Sequence, residues 1–385
     1  MGAFIARRLG GSALVLFLIF SLSFLIMRLS PGSPFDQDRQ LPPAVVANQA
    51  RVLGMAEGIA AERGGVIVSI EAEPGQKLDE GARYAIVAAK DGSKHALRVP
   101  RALTVFRVVR RRGETIARGK VLLYATTSLL SQYAHSLTSM LRLDFGVTFD
   151  SQGQRSVADN LRETLPVSME LGFYALCFAL FLGVPAGIAA GRRQGSLTDY
   201  SVMSLALVGI SIPTIISGPL LIMVFVVKLA WLPPQGGWQV GFFSAWSLKI
   251  LPALTLGLVY AARFARLARA GMLEVASADW IRTARAKGLS ERVVVMRHAL
   301  RGAVLPVVSY LGPAAAQVLV GSVVVETVFN IPGVSKYFIT SAINRDYPMV
   351  MGVVVVYSTL LVLFNVAVDV AYAALDPRQR TGGAA

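Results

Sequence analysis

The sequence predicts an all-α polytopic membrane protein with six transmembrane helices and a small all-β domain inserted after the first helix. Hydrophobic residues make up 54% of the chain and charged residues 16%, a balance that is unusual for a soluble globular protein. The apolar residues are gathered in blocks that are long enough to cross a bilayer as helices. One region instead alternates apolar and polar residues with the period of two that is typical of strands.

Six apolar segments have the length of a membrane span. They lie near residues 9–29, 165–190, 201–227, 249–272, 303–325 and 350–374. We expect all six to be helical, because lipid offers no partner to an unpaired backbone group. Prolines inside them, such as Pro185, Pro213 and Pro313, predict kinks and close helix contacts rather than helix ends.

The first apolar segment is expected to remain in the protein as a membrane span. Arg7 and Arg8 precede it, as they would in a secretory signal. However, the apolar run is longer than the hydrophobic region of a signal, and no small-x-small cleavage site follows before Pro31.

The distribution of Lys and Arg predicts the orientation of the chain. If six spans alternate, one side of the membrane receives most of the cations, namely Arg7, Arg8, Arg192, Arg193, the stretch 263–301, Arg378 and Arg380. The positive-inside rule then places both termini in the cytoplasm. The long segment between the first two spans lies outside, and long translocated segments escape this rule.

The strand-like region extends from Gly65 to Thr126. Its apolar runs are separated by turn dipeptides that end in glycine, and the runs lie at 66–70, 85–89, 95–99, 105–109 and 121–124. The stretches 74–81 and 112–119 each place two glycines six residues apart around one apolar residue. This repeat predicts a β domain made of two similar halves.

Several kinds of chemistry are not expected of this chain. The net charge of +15 could indicate nucleic acid binding, but the cations fall between apolar blocks, where they encode orientation. Cys177 is the single cysteine, so an intrachain disulfide is impossible. His95, His135 and His298 are far apart and have no neighbouring carboxylate or cysteine at metal-ligand spacing. We therefore expect no nucleic acid partner, no metal and no cofactor.

The chain is also not expected to be an enzyme. Residues 113–120 bear a partial likeness to a phosphate-binding loop, but the spacing is one residue too long. Val121 stands where a Ser or Thr hydroxyl would contact magnesium. Any ATP hydrolysis that this protein uses must then come from another subunit.

The stretch from Glu274 to Pro306 is basic, rich in alanine and flanked by apolar segments. A helix-forming run breaks at Gly288 and resumes as a second amphipathic run, with the core Arg-Thr-Ala-Arg-Ala-Lys-Gly-Leu at 282–289 and His-Ala-Leu-Arg at 298–301. This pattern resembles the cytoplasmic coupling loop of binding-protein-dependent ABC importer permeases. The dipeptide, oligopeptide and nickel branch of that family is the most similar.

Further segments carry the same resemblance in the same order along the chain. They are 30–34, 163–172, 326–333, 345–348 and 368–378. The resemblance covers nearly the whole chain outside residues 45–130. It implies a location in the bacterial inner membrane and three kinds of protein partner: a second homologous permease subunit, two ABC ATPase subunits and an extracytoplasmic substrate-binding protein.

The resemblance also implies that the segment 274–306 docks in a cleft of the ATPase subunit. The positions that match are Arg282, Ala284, Arg285, Ala286, Lys287, Gly288 and Leu289. In this interpretation the alanines permit a close approach, Gly288 permits the turn and the cations meet charged partners. The alternative for the cations is that they hold the loop at anionic membrane lipid.

The β region resembles the biotinyl/lipoyl-type barrel-sandwich hybrid domain. Members that carry a cofactor present an Asp-Lys or Met-Lys-Met hairpin between the half-repeats, whereas this chain reads Lys-Asp-Gly-Ser-Lys at 90–94. We therefore expect no lipoyl or biotinyl group and a structural or docking role. Permeases of the family usually have only a short connector at this position.

Carboxylates in or near the spans are candidates for a translocation path, because a charge at membrane depth is costly and tends to face the bundle interior or water. Glu170 is the first candidate and Glu326 the second. The alternative for Glu170 is a structural hydrogen bond to a neighbouring helix.

These observations divide the chain into the first helix and connector (1–60), an extracytoplasmic β domain (61–126) and a permease core (127–385). The predicted function is a permease subunit that forms half the pore of an ATP-driven importer for peptides, nickel or another small solute. The alternative is a membrane-anchored adaptor that works through its lipoyl-like domain, although six spans and the lack of a heptad run argue against it. A secondary transporter would be expected to contain inverted repeats, and no convincing internal repeat of spans is present.

Overall fold

The computed structural model describes residues 2–29, 46, 50–51, 53–89, 91–148, 155–234, 236, 238–241, 244–319 and 322–375. The chain separates into two compact units. The first contains Met1–Ser23, Asn160–Thr340 and Val353–Ala385, and the second contains Phe24–Asp159 and Ser341–Gly352.

Most of the described residues outside the β region are helical. In chain order the helices are α1 (Gly2–Leu29), α2 (Leu129–Leu141), α3 (Val157–Arg192), α4 (Leu197–Ser211), α5 (Thr214–Ile222), α6 (Trp246–Ala276), α7 (Asp279–Ala286), α8 (Glu291–Val293), α9 (Leu300–Ala303), α10 (Leu305–Leu319), α11 (Val323–Val328), α12 (Val334–Ile343) and α13 (Tyr347–Leu375). Two π-helical turns continue α5 and α8, at Met223–Lys228 and Val294–Ala299.

Five stretches of the described chain are helical, long and apolar enough to cross a membrane. They are Gly10–Leu29, Val157–Arg192, Trp246–Ala276, Leu305–Val328 and Tyr347–Val368. They correspond to five of the six segments predicted from the sequence.

The remaining predicted segment, near 201–227, is not one straight helix. Helix α4 and the helix that begins at Thr214 meet at an angle of 104°. Pro213 has no backbone N–H and disfavours helical geometry in the residue before it, and Ile212 is accordingly extended, with φ −84° and ψ 117°. The proline therefore breaks this segment rather than kinking it.

Helices α3 and α6 pack with their backbones in contact. Gly183 and Gly187 lie one turn apart on α3, and a methyl group on either would collide with the carbonyl oxygen of Ala261 or Ala265 on α6. Ala179, Phe264 and Ala268 continue the contact as fully buried residues. Small residues at this spacing let membrane helices approach closely, because no side chain separates the two backbones.

An ion pair between the partly exposed Arg269 and the buried Asp199 joins α4 to α6. Arg269 donates two hydrogen bonds to the carboxylate of Asp199, at 2.5 and 2.9 Å. The backbone N–H of Gly195 donates a third, at 3.0 Å. A bidentate Arg–carboxylate pair fixes both distance and orientation, so it sets the position of α4 against α6.

The β region forms two four-stranded antiparallel sheets. The strands are β1 (Ala56–Ala60), β2 (Gly65–Ile70), β3 (Lys77–Leu78), β4 (Arg83–Ala88), β5 (Lys94–Arg98), β6 (Leu103–Val108), β7 (Thr115–Ile116) and β8 (Val121–Thr126). The order is β1-β8-β6-β3 in one sheet and β5-β4-β2-β7 in the other. The strands predicted from apolar alternation are confirmed to within a few residues. Strand β1 was not predicted, and it begins at Ala56, before the predicted start of the domain at residue 61.

The two halves of the β region repeat with an offset of 38 residues, since β1 to β4 begin at 56, 65, 77 and 83 and β5 to β8 at 94, 103, 115 and 121. The hydrogen bonds repeat as well. Gly75 N–H donates to the Val105 carbonyl and Gly113 N–H to the Ile67 carbonyl, both at 2.8 Å. Each sheet therefore contains two strands from each half, and the short strands β3 and β7 each pair with a strand of the other half.

Both sheets enclose one apolar core. Tyr84, Leu97 and Leu122 are among its fully buried residues, and burial, with a smaller contribution from the charge of Glu62, raises the pKa of Tyr84 to about 12. Ala56 lies opposite Thr126 in the β1–β8 ladder, so the chain enters and leaves the β region at one place. Such adjacent ends are typical of an inserted domain.

We expect Gly183→Ala to lower the thermal stability of the detergent-solubilised protein. The added methyl group must displace the backbone of α6, and overpacking of this kind costs about 1–3 kcal/mol. Gly11→Ala is the matched control, because a methyl group at Gly11 of α1 meets nothing within 4 Å. Equal melting temperatures for the two variants would contradict the backbone contact between α3 and α6.

Candidate functional site

The predicted coupling segment folds as two short helices around a glycine turn. Helix α7 ends at Ala286, and Gly288 adopts the left-handed conformation with φ +75°. The N–H of Gly288 donates to the Arg285 carbonyl at 2.9 Å, and the N–H of Leu289 approaches the Ala284 carbonyl at 3.4 Å. This is the Schellman arrangement, which glycine favours because it has no Cβ to clash.

One face of α7 packs into the chain's own interior. Ile281 and Ala284 are 1% and 5% exposed, and they lie in a cluster with Met272, Val275 and Val294. The structure thereby corrects the expected role of Ala284. Its side chain cannot line a contact with another subunit while it packs in this cluster, because at i+3 from Ile281 it shares the inward face.

The other predicted residues of the segment are exposed. They are Arg282, Arg285, Ala286, Lys287, Gly288 and Leu289. Two of the cations have partners within the segment: Arg285 donates to Glu291 at 2.7 Å, and Arg282 lies 3.7 Å from Asp279. Exposed pairs of this kind contribute little to stability, so both guanidiniums stay accessible to a stronger partner.

The sequence analysis did not identify the apolar part of this surface. Trp280 is 60% exposed and Met296 is 63% exposed. An aromatic residue within a basic stretch was the available signal for Trp280. Met296 lies in the π-helical turn Val294–Ala299, and this departure from α-helical spacing is not visible in the sequence.

Glu170, the first candidate for a translocation path, lies in a closed polar cluster. The ammonium group of Lys249 donates to Glu170 at 2.7 Å and to the Gly241 carbonyl at 2.6 Å. The indole N–H of Trp238 donates to the other carboxylate oxygen at 3.1 Å. The Lys249 and Glu170 side chains are only 4% and 6% exposed, so the ion pair ties the segment around Gly241 to α3 and α6.

Glu326, the second candidate, is fully buried in α11. Its carboxylate accepts hydrogen bonds from the Ser168 hydroxyl at 2.7 Å, and from the Ser335 N–H at 3.0 Å and hydroxyl at 3.2 Å. These bonds connect α3, α11 and α12. Glu170 thus makes the structural bonds that were the alternative predicted for it, and Glu326 makes bonds of the same kind.

The β4–β5 hairpin is the place where a cofactor-bearing domain would carry its lysine. In this protein it contains a series of hydrogen-bonded polar side chains. Lys90 lies outside the described residues. Ser93 donates its hydroxyl to Asp91 at 2.6 Å and its backbone N–H to the same carboxylate at 3.0 Å, and these two bonds lower the pKa of Asp91. The Ser93 hydroxyl also lies 2.9 Å from Nε2 of His95. Nδ1 of His95 accepts from Arg63 at 2.8 Å, so its Nε2 carries the proton. That histidine cannot act as a base toward Ser93.

No group of three or more His, Cys, Asp or Glu side chains that could hold a metal ion occurs among the residues described by the structure.

Comparison with known proteins assigns the fold to a family. The family described as "binding-protein-dependent transport system inner membrane component" matches residues 183–381. The oligopeptide transport system permease protein OppB of Escherichia coli is 37% identical over 377 residues, which cover 98% of this chain and 99% of that protein. The protein of the same name from Haemophilus influenzae is 36% identical with the same coverage.

A third relative is the dipeptide transport system permease protein DppB of Bacillus subtilis, which is 43% identical over 250 residues, 65% of this chain and 79% of that protein. These matches favour a transport subunit over a membrane-anchored adaptor. Together with the family match and the apolar helices, they establish that this chain belongs to the binding-protein-dependent transport system inner membrane components.

Proposed function

We propose that this chain forms half of the translocation pore of a peptide importer. A second homologous permease subunit completes the pore, two ATPase subunits drive it, and an extracytoplasmic binding protein delivers the peptide. The observation that carries the proposal is the exposed helix–glycine–helix element of α7 and α8, placed between two apolar spans in a chain of this family. Peptides are the substrate class because the relatives are named as oligopeptide and dipeptide permeases.

The exposed face of the coupling segment fits a cleft in an ATPase subunit. It combines the flat ring of Trp280 with the small side chain of Ala286 and the cations Arg282 and Lys287. Aromatic and Arg side chains are enriched at the centres of protein interfaces. Anionic lipid would need only the cations, whereas the small exposed Ala286 allows another protein to approach the helix closely.

Six spans with cytoplasmic termini agree best with the distribution of charge. In this arrangement α4 and the bent helix after it form a single broken span. Irregular backbone at membrane depth is tolerated where neighbouring helices satisfy it, and Gly218 of this segment lies against Val328 and Phe329 of the same compact unit. The coupling segment then faces the cytoplasm and the β region faces outward.

The duplicated architecture of the β region supports its assignment as a barrel-sandwich hybrid. Its role is to dock a protein rather than to carry a cofactor, because Asp91 and Gly92 occupy the hairpin between the two halves. It lies in the extracytoplasmic compartment, where the binding protein must approach.

The internal repeat reveals opposite charge at two equivalent ends of this domain. One end consists of the loops 61–64, 110–114 and 117–120, and it carries six cations against two carboxylates. The equivalent loops 38 residues away in sequence (99–102, 72–76 and 79–82) carry three carboxylates against one cation. Since the backbone is the same at both ends, folding does not require this difference. We infer that the basic end meets an acidic surface of the binding protein.

The docking assignment predicts the effect of Ala286→Arg. Ala286 is exposed, so the variant should fold and assemble, but a long charged side chain would obstruct close contact. We expect peptide-stimulated ATP hydrolysis by the reconstituted importer to fall about tenfold. Gln194→Arg is the control, since residue 194 is also exposed and belongs to a loop assigned to the same side. Normal coupling in Ala286→Arg would place the docking surface elsewhere.

The orientation predicts which positions an impermeant thiol reagent can reach. In a Cys177→Ala background, a cysteine at the exposed position Ala96 should be labelled in intact spheroplasts. A cysteine at the exposed position Ser290 should be labelled only after the membrane is opened. The reverse pattern would place the β region in the cytoplasm.

The docking role of the β domain predicts that its two ends respond differently to neutralisation. Replacement of Arg110, Arg111 and Arg112 by Ser should weaken binding-protein docking to the permease in nanodiscs, and the parent protein should lose affinity as salt is raised. The matched variant replaces Glu73, Asp79 and Glu80 by Ser at the opposite end and should retain docking.

Deletion of the domain tests its modularity. A Gly/Ser linker in place of residues 56–126 can join the adjacent ends, and we expect the spans and ATPase assembly to survive. Failure to assemble with the ATPases would show that the domain belongs to the folding core. Equal docking by both charge variants would refute the role of the basic end.

A further inference from the structure

Two arginines of α6 line an open cavity within the first compact unit. The cavity has a volume of about 450 Å³ and is lined by Arg263, Arg266, Leu267, Ala270 and Tyr310. Helix α6 supplies four of these residues and α10 supplies the tyrosine. None of them belongs to the coupling segment or to the clusters around Glu170 and Glu326.

Arg263 is held in place by two aromatic residues. It donates a hydrogen bond to the Tyr310 hydroxyl at 2.7 Å, and its guanidinium carbon lies 5.5 Å from the centre of the Tyr260 ring. Tyr310 in turn packs edge to face on the buried ring of Phe264, at 5.9 Å. A guanidinium has five N–H donors, so this arrangement orients the group and leaves most of its donors available.

Arg266 lies one turn further along the same helix and is exposed. Within the described part of the chain, neither Arg263 nor Arg266 forms an ion pair with a carboxylate. The next arginine of this series, Arg269, is different because Asp199 holds it bidentately. Arg269 is therefore paired with a carboxylate, whereas Arg263 and Arg266 beside the cavity are not.

Arg263 and Arg266 lie toward the far end of the span formed by α6, close to the edge of the hydrocarbon layer. At 1.5 Å per residue, Arg263 and Arg266 lie about 26 and 30 Å from the start of α6, and the hydrocarbon layer is about 30 Å thick. Charged groups within a span face the bundle interior or water rather than lipid tails. An open, cation-lined cavity at this edge therefore fits the mouth of a water-filled path that admits an anion.

We propose that Arg263 and Arg266 bind the C-terminal carboxylate of a peptide as it crosses the membrane. The planar guanidinium fork matches a carboxylate in charge and in geometry. Tyr310 and the ring of Tyr260 hold Arg263 in position. This inference rests on the proposed peptide importer and extends it to a recognition step within the permease.

The test compares two peptides of one sequence, one with a free C-terminal carboxylate and one with a C-terminal amide. Transport of each is measured in proteoliposomes that contain the assembled importer and its binding protein. We expect the double variant Arg263→Gln/Arg266→Gln to lower kcat/KM for the free-acid peptide about tenfold and to leave the amide nearly unchanged. Because the binding protein is the same in both assays, a changed ratio must arise in the permease.

Tyr310→Phe should shift the same ratio in the same direction by a smaller factor, since Arg263 keeps its charge and loses its orientation. Arg193→Gln removes an exposed cation outside the cavity and should leave the ratio as in the parent protein. Retained transport of the amidated peptide shows that the double variant is folded and coupled.

Three results would overturn the carboxylate site. The first is an unchanged ratio in the double variant. The second is an equal loss of both peptides, and the third is a loss that appears only in vesicles with anionic lipid, which would assign the arginines to lipid phosphate. Failure of the parent importer to transport either peptide would instead refute the proposed function, on which the site depends.

Discussion

The close contact between α3 and α6 is the constraint on which the helical unit depends. Glycines at 183 and 187 bring the two backbones together without an intervening side chain, and this fixes the distance at which every other group on these helices must meet. Glu170 on α3 reaches Lys249 on α6 at 2.7 Å because the helices are this close. Arg269 then holds α4 against the other flank of α6. Dispersion between closely packed surfaces drives such contacts in lipid, where no hydrophobic effect favours helix association.

Charged side chains in this helical unit fall into two groups, those that are paired within the chain and those that are not. Glu170, Asp199 and Glu326 are buried and saturated by donors, as a charge in a low-dielectric interior must be if the fold is to be stable. Arg263 and Arg266, by contrast, are not paired with a carboxylate in the described chain and border a cavity. Breaking a buried pair would be expected to affect stability first, whereas neutralising the cavity arginines should affect what the cavity admits.

In the β region, the two halves share the features that folding requires but differ in surface charge. Its two halves share the same backbone hydrogen bonds at an offset of 38 residues, so the requirements of folding are met twice. The apolar positions Leu78 and Ile116 are equivalent and both buried. Folding does not constrain the surface charge in the same way, and the charge differs sharply between the arginine triplet 110–112 and the equivalent residues 72–74. Such a difference on a duplicated scaffold points to selection for an interaction.

Hydrophobic periodicity and glycine conformation are local properties, so the membrane class, the positions of the apolar helices, the strands of the β region and the turn at Gly288 could be predicted from the sequence. The exposed cations of the coupling segment could be predicted as well. Which residues face inward depends on helix packing instead: Ala284, Glu170 and Glu326 are buried, Trp280 is exposed, and Arg263 and Arg266 lie beside a cavity. Local patterns could not show which charged side chains are enclosed by partners and which border a cavity. The partners, such as Lys249, Ser168 and Tyr310, lie far away in the chain and are brought near by helix packing.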